Sequence, residues 1–153
     1  MEILIGRGYL KSVLPLVNSA ETNIDILMYH WGYYSSLSNC DIQKLTLAIK
    51  TAAIRGVSVR ALIHSGSPGD NLRSKNSETF NHLKSWGVNA KFYKSSGTMH
   101  SKLILVDKTH AVCGSHNFSK KSMNGNVETS ILISGSGDIR PFCDYFNNLW
   151  GQN

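Results

Sequence analysis

The sequence holds no stretch that approaches the ~18 consecutive apolar residues a membrane-crossing helix needs. Its N-terminal apolar run, Val13 to Val17, is short and contains Pro15, and Glu2, Arg7 and Lys11 interrupt the region around it. That segment does not read as a secretory leader. Cysteine is scarce: Cys40, Cys113 and Cys143 are odd in number, widely spaced and without a Cys-x-x-Cys pair. This argues against a disulfide framework or zinc site and for a reducing, cytoplasmic compartment. No internal repeat is visible, and no His, Cys or acidic spacing assembles a metal site. The expectation is a chain with no metal, no cofactor and no transmembrane segment.

Acidic residues are also few, 10 against 16 lysines and arginines, for a formal charge of +6. The excess favours a polyanionic partner, nucleic acid or an anionic membrane surface. At 153 residues with 41% hydrophobic content the chain is long enough for one real core, and one domain over residues 1–153 is expected.

Hydrophobic periodicity divides the chain into alternating elements. Strands are expected at Glu2 to Ile5, Asn23 to His30, Val57 to His64 and Val88 to Tyr93. Between them, helices are expected around Tyr9 to Asn18, from an N-cap at Asp41 to Arg55, and over Ser77 to Trp86. The stripe Leu45, Ala48, Ile49 and Ala52 marks the buried face of the second. Ser65 to Asn76, rich in Gly, Ser, Asn and Pro, reads as a loop. Two further strands, Lys102 to Val106 and His110 to Gly114, form a hairpin around an Asp-Lys-Thr turn. A last strand, Val127 to Ile133, and a helix, Ile139 to Trp150, close the chain. The order predicts an α/β fold with a mixed, largely parallel sheet and helices on both faces.

The hairpin carries the chemistry. His100, Lys102, Asp107, Gly114 and Ser115 are spaced H-x-K-x4-D-x6-G-S, with Asn117 following. Alternation along a strand points His100 and Lys102 the same way, setting an imidazole beside a cation, which suits attack on an anionic phosphorus. Ser115 and Asn117 return toward the same place as hydrogen-bond donors. Asp107 has the opposite parity and starts the turn, so it is assigned to structure. Ser119 is expected to cap a short helix.

This pattern resembles the HKD motif of the phospholipase D superfamily, and Asn126-Val127-Glu128 looks like that family's downstream glutamate. One motif in a short chain looks most like the Nuc-type endonuclease branch. The resemblance implies a metal-independent phosphodiesterase with His100 as nucleophile, Lys102, Ser115 and Asn117 on the phosphate, and Glu128 accepting the proton of the other ring nitrogen of His100. Longer members carry two motifs, so a homodimer with both motifs at its two-fold axis is implied, passing through a phosphohistidine. Nucleic acid is the expected substrate, with Arg73, Lys75, Lys94, Lys120 and Lys121 as candidate backbone contacts. Trp31, Tyr33 and Tyr34 are candidates for base stacking or for packing. His30 and His64, at strand ends, are candidates to line the cleft. The alternatives are a cardiolipin-type phospholipid hydrolase or phosphatidyl transferase, for which the sequence shows no clear apolar lip, and a non-catalytic nucleic-acid-binding module.

Overall fold

The computed structural model describes residues 1–36 and 40–153, the side chains of 136 and 137 aside. Seven strands make one sheet: β1 (Glu2–Ile5), β2 (Asn23–Met28), β3 (Ser58–His64), β4 (Asn89–Tyr93), β5 (Lys102–Val106), β6 (His110–Gly114) and β7 (Thr129–Ser134). They lie in the order β1-β7-β6-β5-β2-β3-β4. The β2–β3 and β3–β4 pairs are parallel, and every other pair is antiparallel. Followed across the sheet, β1, β2, β3, β4 and β6 therefore run in one sense and β5 and β7 in the other. The expected mixed α/β architecture is present, parallel in strand direction more than in neighbour pairing.

Alternation along β2 divides the core. Ile24, Ile26 and Met28 face the layer of helices α1 (Gly8–Asn18), α2 (Asp41–Ile54) and α3 (Asn71–Ser85). Leu27 packs on the other side with Leu62, Leu103, Leu105 and Ala111 against Ile139 and Phe146 of α5 (Ser136–Gly151). Truncating one of these fully buried side chains to alanine costs about 2–5 kcal/mol. Arg60 ties α5 to the sheet. Its Nε and Nη2 hold the buried carboxylate of Asp25 at 2.6 and 2.8 Å, and its guanidinium lies over the Phe146 ring at 4.7 Å.

Several boundaries differ from the sequence reading, each for a local reason. Cys40, not Asp41, occupies the N-cap of α2; Asp41 is its first residue and lies 3.7 Å from Lys44 one turn on. The largest difference is α3, which begins at Asn71 inside the stretch read as a loop. Asp70 caps it, accepting from the Leu72 amide. Its buried face is polar, Asn76 and Thr79 with Leu83, so no apolar period announced it. Asn76 donates to the carbonyls of Tyr29 and His64, both at 2.8 Å, and accepts from the Trp31 amide at 2.9 Å. This one side chain pins the ends of β2 and β3 to the helix. Strand β2 ends at Met28 rather than His30, and β7 begins at Thr129, past a fully exposed Val127.

Candidate active site

The motif residues gather at one end of the sheet. Strands β2, β3 and β6 finish there and β5 and β7 begin there, so Lys102, His64, Ser115 and Glu128 arrive from four strands. Lys102 pairs with Met28 in register and is only 8% exposed, while His100, before the strand, is exposed. The Lys102 Nζ donates to the His100 carbonyl at 2.6 Å and lies 3.1 Å from His100 Nδ1. The ammonium also sits 5.0 Å from the centre of the Tyr29 ring. Burial pushes the Lys102 pKa below that of an ordinary lysine, against the pull of the Glu128 carboxylate.

Glu128 is 7% exposed and fully occupied. Its oxygens accept from the Ser115 hydroxyl, from Ser122 Oγ at 2.7 Å and from Asn126 Nδ2 at 3.0 Å. Burial raises its pKa, but the hydrogen bonds from Ser115, Ser122 and Asn126, with the nearby His116, outweigh that and hold it below the usual carboxylate range. The expected Glu128 contact with His100 is absent among the described residues. Glu128 faces Lys102 electrostatically and organises Ser115 instead, while Nδ1 of His100 is met by Lys102. An ammonium has no lone pair, so Nδ1 is the acceptor in that contact.

Gly114 allows this closeness. A Cβ there would collide with Ser130 and the Thr129 carbonyl across the β6–β7 pair. Ser115 Oγ can then accept from the Thr129 amide at 3.0 Å as well as donate to Glu128. Asn117 follows, its amide donating to Ser122 Oγ at 2.8 Å and its Oδ1 buried without a partner among the described residues. The Phe118 amide reaches the His30 carbonyl, which places Asn117 beside the end of β2. Ser119 caps α4 (Lys120–Asn124), accepting from the Ser122 amide. Ser122 thus joins a helix, a loop and the carboxylate, and no sequence signal marked it.

Asp107 lies at the far end of β5. It accepts from the amides of Glu21, Thr22 and Asn23 and from the Thr22 hydroxyl, locking the hairpin turn to the start of β2. Burial raises its pKa, but those four donors prevail and lower it. Asp107 and Lys108 both take positive φ, 52° and 53°, as a tight hairpin requires. Asp107 thus sits at the turn, at the opposite end of β5 from Lys102, and Ser119 caps α4.

Two aromatic groups that the sequence did not single out or left open complete the site. The Tyr29 ring lies 4.5 Å from that of His100 and 5.2 Å from that of His64. Burial lowers the His64 pKa, the charge of His100 lowers it further, and Asp70 opposes both. His30 is half-buried, lowered by burial and by Lys75. His116 is structural: fully buried, it bonds Ser130 Oγ at 2.7 Å and the Gly6 carbonyl at 3.1 Å, and stacks on Tyr9. Trp31 is wholly buried with its indole N–H on Thr46, so it is core and cannot stack a base. Tyr33 stacks on His82, and the Tyr34 hydroxyl accepts from the Lys120 amide. Among the basic candidates, Arg73 and Lys94 share a cavity, Lys75 approaches His30, and Lys120 and Lys121 open α4.

On the opposite, α5 face an apolar cavity of about 400 Å³ opens between Leu103, Cys113, Pro141, Phe142 and Tyr145. It adjoins Ser101 and Lys102, so the site has an apolar neighbour that the sequence did not reveal. Among the described residues no helix is long and apolar enough to cross a membrane.

A mixed seven-stranded sheet with an H-x-K…G-S-x-N constellation at one end is the arrangement of the phospholipase D superfamily. Residues 13–150 match the family of cardiolipin synthase PLD-like domains, and the chain belongs to it. It is 30% identical over 126 residues to a phospholipase D of Rickettsia prowazekii and 23% identical over 147 residues to the human mitochondrial cardiolipin hydrolase. Those alignments take in 82% and 96% of this chain but only 55% and 53% of the relatives, so it spans about half their length. Its fold is similar to that of Nuc from Salmonella typhimurium, a phospholipase D family member, with a TM-score of 0.80 and 21% identity. That match covers 99% of this chain and 95% of Nuc.

Proposed function

We propose that residues 1–153 act as one phospholipase D-like domain that hydrolyses phosphodiester bonds in DNA or RNA as a homodimer. The observation that carries the reading is the pairing of an exposed His100 with a buried Lys102 cation whose hydrogen bonds go to His100 alone and which has no ion-pair partner among the described residues, with Asn117 on the neighbouring loop. Such a site holds a phosphate by its non-bridging oxygens while leaving one imidazole free to attack.

In this scheme the neutral Nε2 of His100 forms the P–N bond as the P–O bond to the leaving group breaks. His100 of the partner subunit, protonated, gives its proton to the departing oxygen. The same ring then takes a proton from water, whose oxygen attacks phosphorus and breaks the P–N bond. Both rings return to their starting states and no external reactant besides water is consumed. Lys102 Nζ and the side-chain Nδ2 of Asn117 donate to the phosphate oxygens and offset the charge of the five-coordinate transition state. Ser115, committed to Glu128, supports the loop that presents them. For attack, phosphate oxygen must draw Lys102 Nζ away from Nδ1, freeing that nitrogen to carry the proton.

The net charge of +6 and the fit to nearly the whole of Nuc support the nuclease reading. A second reading, phospholipid hydrolysis, is favoured by the apolar cavity beside Ser101 and by what the two sequence relatives are called. The test is cleavage of labelled single-stranded DNA, duplex DNA and RNA in EDTA, with His100→Ala prepared identically. Cleavage by the native chain alone supports the proposal. Turnover of cardiolipin vesicles with no nucleic-acid cleavage favours the second reading, and cleavage that only magnesium restores overturns the scheme.

A further inference from the structure

Beside the site, on the face of the sheet carrying α3, a cavity of about 340 Å³ is lined by Ser65, Arg73, Ser77, Phe92 and Lys94. Its volume falls in the range of small-molecule pockets. Arg73 comes from the first turn of α3 and Lys94 from just past β4, so two elements aim cations at one space. Neither has an ion-pair partner among the described residues, where the pairs are Lys44–Asp41 and Arg60–Asp25. Ser65 directly follows His64, whose ring shares Tyr29 with His100, so the cavity begins one residue beyond a ring packed at the site. Gly66 sets the spacing. Its φ is +69°, and a Cβ there would meet the Arg73 amide nitrogen at 2.9 Å, so the loop lies flat against the helix turn that carries Arg73.

We propose that this cavity is a subsite for a phosphate flanking the scissile one in a polynucleotide, with Arg73 and Lys94 as its ligands. The inference rests on the proposed phosphodiesterase reading and names its substrate class. Asp70 lies at the rim of the adjoining cavity, but its carboxylate is already engaged with the Leu72 amide. The Ser65 and Ser77 hydroxyls add polar groups to the wall and Phe92 an apolar one, a lining suited to a sugar-phosphate backbone. A diphosphorylated lipid would need an acyl slot next to the same cations, and the apolar cavity lies across the sheet. The polymer is therefore the better match.

The test uses the full chain and measures anisotropy of a fluorescein-labelled oligodeoxynucleotide bound to His100→Ala, with and without Arg73→Ala and Lys94→Ala. Removing both cations should weaken binding about tenfold and flatten the dependence of log K on log salt by about one unit. Lys108→Ala, a single charge loss at the far end of the sheet that matches each single variant, should leave binding within about twofold and controls for net charge. In the active chain, the double variant should lose about tenfold more rate on the oligonucleotide than on bis(p-nitrophenyl) phosphate, which has no flanking phosphate. Equal losses on both substrates, or an unchanged salt slope, overturn the subsite. So does a double variant that loses cardiolipin-vesicle binding but keeps the oligonucleotide. If nothing is cleaved but the binding losses appear, the subsite stands and the catalytic reading falls.

Discussion

Lys102 Nζ lies 3.1 Å from His100 Nδ1, on the ring nitrogen that must carry a proton when Nε2 attacks phosphorus. In the proposed scheme the resting contact holds the imidazole in the wrong form for attack, and an arriving phosphate would correct it by taking the ammonium. Losing this cation should lower turnover by roughly 10²–10³-fold in Lys102→Met, the range seen when one transition-state donor is removed. A smaller effect on kcat than on KM would show that Lys102 binds ground and transition states alike.

The same lysine predicts a pH dependence. Burial has lowered its pKa, so it loses its charge at a lower pH than an exposed lysine. Inhibition by inorganic phosphate should therefore fade on the alkaline side before the ~10.4 of an ordinary lysine. Glu128 opposes the shift, so Glu128→Gln should move that loss of inhibition to still lower pH. A shift in the other direction would mean the carboxylate does not act on Lys102.

Glu128 should also be visible in acid. Its pKa is depressed in the folded chain by its three hydrogen-bond donors. The stability it contributes is present above about pH 4.3, the unfolded value, and is lost as pH falls through the folded value. The melting-temperature gap between the native chain and Glu128→Gln should be full at neutral pH and shrink in acid. A gap that stays constant across that range would show that the ionised carboxylate is not what the network stabilises.

Asn76 links a hidden part of the fold to the site. Alanine there leaves the Tyr29 and His64 carbonyls and the Trp31 amide without this partner, each buried group worth about 1–3 kcal/mol. Asn76→Ala should lower stability by about 2–5 kcal/mol in urea unfolding and reduce kcat through the displaced Tyr29 and His64 rings. A stability change within about 0.5 kcal/mol would remove Asn76 from this role.

How much of this was legible follows from where each signal lives. His100, Lys102, Gly114 and Asn117 lie within one hairpin, and strand parity alone puts the first two on one side. Asp107 declared itself by opposite parity. The register of the sheet set the rest: Tyr29 and His64 come from separate strands, and the Glu128 contacts depend on a helix that Ser119 starts. Helix α3 was half missed because its inner face is Asn76 and Thr79, residues whose burial makes sense only once they meet the carbonyls at the ends of β2 and β3. The role of Glu128 as a partner of His100 came from resemblance, and the geometry gives it Ser115, Ser122 and Asn126 instead.

The last prediction concerns the number of histidines. A single His100 cannot attack phosphorus and protonate the leaving oxygen in the same step, so the scheme requires His100 of the partner subunit at one shared phosphate. A heterodimer with one His100→Ala chain then lacks either the nucleophile or the acid. Adding an excess of His100→Ala to a fixed amount of native chain, after subunit exchange, should suppress activity as native chains are drawn into mixed dimers. Activity that stays constant would show that each chain works alone. His64, set against Tyr29 with a buried Nδ1 that has no partner among the described residues, would then be the acid-base candidate within the chain. Combining His64→Ala with the same mixing series separates the cases: it should abolish activity if the chain works alone, and in the shared site the suppression curve should keep its shape.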